Sequence, residues 1–164
     1  MLATALSFLI VMSTGGCSAV QLSDRDQAFA LRFPYEDVNH SLVLRTVEGI
    51  TETRMDRVVT LELVNHSDRL IGFPAGYGVE GLAYDPENDT WVEIGNSVRF
   101  PAVRRVLGPN GGEIPSLGWV DYKPILTFTP DLLEIRIVVL GHFYDETNGF
   151  GEPVAAYLDL TLER

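Results

Sequence analysis

Hydrophobic and polar positions alternate most clearly over residues 58–73, VVTLELVNHSDRLIGF, where Val59, Leu61 and Leu63 share one side and Thr60 and Glu62 the other. A two-residue period of this kind is what a strand with one buried face requires. Asn65, His66, Ser67 and Asp68 follow with turn chemistry, since short polar side chains bond nearby backbone and tolerate unusual dihedrals. The apolar run Leu70, Ile71, Gly72 and Phe73 comes next. The pattern therefore predicts an antiparallel strand pair as the nucleus of an all-β domain.

The rest of the chain repeats this grammar. SLVLRTV at 41–47 reads as a strand, and VEGLAY at 79–84 pairs with WVEI at 91–94 about the turn DPENDT. A short strand is expected over 103–107, then a Gly-Pro loop over 108–112. Residues 113–129 contain Pro115, Gly118 and Pro124 and cannot form one clean strand, although 125–128 suits a short one. A brief helical turn is expected at 130–133. EIRIVVL at 134–140 places Ile135, Ile137 and Val139 on one face, while Val138 and Leu140 make the other face apolar too, which predicts a central position. After a loop over 145–152, Val154, Ala156, Leu158, Leu160 and Leu162 share one face of a closing strand. Residues 18–37 show no sustained period and read as a tether with, at most, short order around 29–31. About seven short strands joined by Gly, Pro, Asn and Asp predict an antiparallel β-sandwich.

The N-terminus carries a different signal. Residues 2–12, LATALSFLIVM, are almost wholly apolar, too short to span a hydrocarbon core of ~30 Å, and suited to the apolar part of a secretory signal. Ser13, Thr14, Gly15 and Gly16 follow, then Cys17, the only cysteine. This arrangement resembles the lipobox of bacterial lipoproteins, although Thr14 stands where that family usually has Leu. The resemblance implies cleavage before Cys17, acylation of its thiol and amino group, and a stable hold on membrane lipid at the extracytoplasmic face of the bacterial membrane. The other reading is a general secretory signal cut near Gly16 or Ala19, with Cys17 incidental. The order VTLELVNHSD, YDPENDTW, LGPNGG and EIRIVVLG is similar to bacterial immunoglobulin-like domains of exported proteins, and loosely to BsuPI-type domains, named after a proteinase inhibitor. With no Cys…Trp…Cys framework, an antibody-type domain is excluded. The expected organisation is a signal peptide over 1–16, a lipidated N-terminus and tether over 17–40, and an immunoglobulin-like β-sandwich over 41–164.

Composition then narrows the chemistry. The chain has 164 residues and a net charge of −11, with no charged residue before Asp24 and a single lysine, Lys123. Such a surface repels nucleic acid and favours cationic partners or solubility. His40, His66 and His142 form no motif with a nucleophile, no Gly-x-Ser-x-Gly elbow occurs, and a non-catalytic module without a cofactor is expected. Metal-ligand spacing is absent for histidine and cysteine; Asp85, Glu87 and Asp89 are weak calcium candidates. Tyr77, Trp119, Tyr122, Tyr144 and Phe150 lie in or beside loops, where aromatic faces suit a protein or glycan partner. Trp119 and Tyr122 are the chosen ligand contacts; the alternative has Trp91 and Trp119 plugging the ends of the sandwich. A second function, proteinase inhibition, would use the loop from Gly108 to Trp119. Three Asn-x-Ser/Thr triplets, at Asn39, Asn65 and Asn88, receive no role in a bacterial protein.

Overall fold

The computed structural model describes residues 23–54, 57–77, 79–94, 103–117 and 132–163. Among them one helix, α1 (Asp24–Arg32), precedes twelve strands. These are β1 (Asp37–Val38), β2 (Leu42–Thr46), β3 (Glu52–Arg54), β4 (Val59–Asn65), β5 (Leu70–Phe73) and β6 (Val79–Asp85), then β7 (Thr90–Ile94), β8 (Arg105–Leu107), β9 (Gly112–Glu113), β10 (Ser116–Leu117), β11 (Leu132–Asp145) and β12 (Gly149–Glu163). The all-β sandwich is as the alternation predicts, with the short strands β1, β3, β9 and β10 added and with β11 and β12 longer than expected.

Two sheets enclose one core. In the smaller, β4 lies between β2 on one side and β9 and β10 on the other. In the larger, β11 lies between β12 and two further strands: β6 pairs its first half and β5 its second. β7 extends β6, β8 extends β5, and short β1 and β3 run parallel to the outer edge of β12. This is immunoglobulin-like connectivity: the two-sided β4 sheet faces a sheet ordered β7, β6, β11, β12. Leu61 and Leu63 from one sheet meet Ile71, Ile135, Ile137, Val139, Leu160 and Leu162 from the other in a single buried cluster.

The predicted pair of β4 and β5 does not form. Each strand is where the alternation put it, but they belong to opposite sheets. Asn65, fully buried, explains the crossing. Its amide nitrogen donates to the carbonyls of Arg69, Leu107 and Gly108, at 2.7, 3.2 and 3.1 Å, and its amide oxygen accepts from the Ser67 backbone N–H and hydroxyl. A two-strand hairpin would leave those carbonyls without their donor, and buried polar groups are rarely left so. The chain therefore arches across the core.

Three further expectations change. Leu132 and Leu133 open β11 rather than closing a helical turn, and the loop before β12 shrinks to residues 146–148, with Gly149 at φ 82° completing the turn. The expected strand over 125–128 lies outside the described residues. Of the tether expected over 17–40, residues 17–22 lie outside the described residues, and from Ser23 onward the chain is ordered into α1 and β1 instead. There Ser23 caps α1, its Oγ accepting from the Asp26 N–H, acids fill the first turn, and Phe33 and Pro34 end the helix. Phe29 and Phe33 bury one stripe of the helix against Leu82, Trp91 and Val138 on the outer face of the large sheet. That is why β11 is apolar on both faces.

Candidate binding site

Cys17, Trp119 and Tyr122 lie outside the described residues. Trp91, expected as an end plug, instead lies on the outer sheet face beneath α1, its indole N–H donating to the Arg25 carbonyl at 2.9 Å. The acidic turn does not gather its carboxylates. Asp85 accepts from the backbone N–H of Glu87 and the side-chain amide of Asn88, while Asp89 accepts from the Tyr84 hydroxyl at 2.6 Å. Among the described residues no three His, Cys, Asp or Glu converge on a point that would hold a metal. In the proposed inhibitory loop, β9 and β10 are paired with β4, and the Pro115 carbonyl accepts from Leu61 N–H. An inhibitory loop must offer free backbone, and this stretch has committed much of its own.

The large sheet carries two contrasting outer surfaces. Over its first half sits Arg136, only 1% exposed. Its guanidinium donates through Nε and Nη2 to both oxygens of Asp159, at 2.6 and 2.8 Å, and through Nη2 to Asp26 of α1 at 2.9 Å. The rings of Tyr157, Phe29 and Trp91 surround the same cation at 3.8, 4.7 and 4.8 Å. Burial alone would push the Asp26 carboxyl up, but hydrogen bonds from Ser23 and Arg136 and the nearby positive charges outweigh it and hold it below the ordinary value. Helix and sheet are thus joined by one desolvated cation. Sequence reading missed this knot, whose signal was a single arginine inside IRIVVL.

Over the second half no described helix lies. Here Gly72 faces outward between the core residues Ile71 and Phe73. A Cβ on Gly72 would lie 2.7 Å from Phe150 and 3.0 Å from Tyr144, so only glycine lets these rings rest on the sheet. Their centroids are 5.3 Å apart, and His142 packs edge-on to Phe150. Arg104 donates to the Tyr144 hydroxyl at 3.0 Å and lies over the same ring. Phe150 and Val106 are 40% and 41% exposed. Of the aromatics singled out in the sequence, Tyr144 and Phe150 come together, whereas Tyr77 is buried against Phe73.

No protein-family model matches the chain, and no curated protein matches it. Among solved structures it is similar to the ASH/PapD-like domain of human CEP192 (PapD-like domain 7), at 12% identity over 74% of this chain and 82% of that chain, with a TM-score of 0.35. No helix among the described residues is long and apolar enough to cross a membrane.

Proposed function

We propose that this β-sandwich is a non-catalytic binding module, held at the extracytoplasmic face of a bacterial membrane by lipid on Cys17, and that it meets its partner through the open half of its large sheet. The observation that carries the binding reading is the aromatic group of Tyr144, Phe150 and His142, laid over Gly72 and left partly exposed. Rings with an apolar body and a polar edge, rimmed by an arginine, are typical of recognition surfaces. The anchor reading is supported by the apolar leader and the small residues before Cys17. Six residues from Cys17 to Ser23 reach at most about 20 Å, which would keep α1 near the bilayer.

The two halves are tested separately. Labelled palmitate incorporated by the native chain and lost in Cys17→Ser supports the anchor; no incorporation, or incorporation that survives the substitution, overturns it. A photo-reactive phenylalanine at Phe150 in living cells is expected to give a discrete cross-linked adduct, with none from the same group at exposed Val47. Equal capture at both positions, or none at Phe150, overturns the binding face.

A further inference from the structure

Beside the aromatic face lies a cleft of about 450 Å³, between the segment 34–37 that follows α1 and the hairpin of β11 and β12. We propose that it receives the guanidinium of an arginine carried by a basic segment of a partner protein. This inference deepens the binding-module reading and rests on it.

The lining is chemically one-sided. Pro34 and Pro153 give rigid apolar walls, Tyr35 and Phe143 give rings, and Glu36 and Glu152 give carboxylates. A third acid, Asp37, is already engaged, accepting from the Ser41 N–H and hydroxyl at 3.0 and 2.6 Å. Neither lysine, arginine nor histidine lines the cleft. The volume lies in the range of small-molecule sites, ample for one long side chain.

The chain's own arginines indicate which cation suits such walls. Arg69, which lines a neighbouring cleft rather than this one, holds its guanidinium 3.8 Å from the centroid of Phe143 while reaching Glu152 at 3.2 Å. Two lining residues thus already recognise a guanidinium by a ring face and a carboxylate together. Arg136 is held in the same way between Tyr157 and Asp159. A planar guanidinium satisfies both partners at once, whereas an ammonium is a more strongly hydrated point charge without a stacking plane. The net charge of −11 also draws a basic segment toward the domain.

The test follows backbone amide shifts in the full chain, purified in detergent, on titration with N-acetyl-argininamide, N-acetyl-lysinamide or choline at constant ionic strength. Saturable shifts at 34–37, 143 and 152–153 are expected with the arginine probe, and several-fold weaker ones with the other two. Glu36→Gln combined with Glu152→Gln is expected to weaken the arginine probe about tenfold, the loss of a charge-assisted contact. Arg69→Ala, which frees Phe143 and Glu152, is expected to bind at least as tightly as the native chain. Tyr35→Leu, which keeps bulk but removes the ring, checks the stacking contact and is expected to weaken binding. Absence of saturation, equal response to all three cations, or indifference to the glutamate substitutions overturns the proposal. Cross-linking at Phe150 without arginine binding would sink this inference alone; arginine binding without cross-linking would sink the aromatic face alone.

Discussion

At the scale of single residues, Arg136 and Gly72 define the two halves of the large sheet. A desolvated guanidinium is tolerated because two carboxylates and three rings surround it. Arg136→Ala removes the cation shared by Asp26 and Asp159, which keep Ser23 and Arg25 as neighbours, and leaves a void among the rings, so a loss of about 2–3 kcal/mol is expected from urea denaturation. A loss under about 1 kcal/mol would mean the knot contributes little. Gly72→Val drives a branched side chain into Phe150 and Tyr144, and overpacking of this kind costs typically about 1–3 kcal/mol. The same substitution should leave Phe150 more exposed, read as faster labelling of that ring. Part of this was legible in the sequence. An arginine amid isoleucines and valines on a two-faced apolar strand needs a buried partner, but one such partner, Asp26, stands 110 positions away, and no local pattern names it.

At the scale of elements, strands were easy to read and their partners were not. Alternation placed β2, β4, β6 and β7 close to their observed bounds, because a period of two depends only on which face is buried. Whether consecutive strands pair depends on the connection. The turn chemistry of residues 65–68 read as a hairpin, yet Asn65 spends its amide on carbonyls at 69, 107 and 108, and the chain changes sheets. Helix α1 was missed for a related reason: its buried stripe is only Phe29 and Phe33, set in a polar segment. Much of its hold is electrostatic, so it should respond to acid. The Asp26 carboxyl is depressed in the folded state, and its stabilisation is therefore complete above its unfolded value and is lost as pH falls through the lower folded one. Protection factors across 24–33, taken relative to the intrinsic exchange rate at each pH, should accordingly fall as pH drops below the ordinary aspartate range, while those of β11 amides stay high. Simultaneous loss of protection in both would show that the helix does not open on its own.

At the scale of the whole molecule, a helix seals one half of a sandwich face, and no described helix covers the other half, which is the proposed binding face. Both halves of that face are built on the same strand, β11, whose outward residues run from Arg136 and Val138 under the helix to Tyr144 on the open end. The net charge of −11 disfavours nucleic acid, and the arginine-bearing partner proposed above rests on the carboxylates and rings of the cleft beside the hairpin. The most direct measurement is hydroxyl-radical footprinting of the purified full chain, comparing two phenylalanines of equal intrinsic reactivity. Phe150, 40% exposed, should oxidise several-fold faster than Phe29, 4% exposed beneath α1. Equal rates, or faster oxidation of Phe29, would contradict the division of the sheet into a sealed half and an open one.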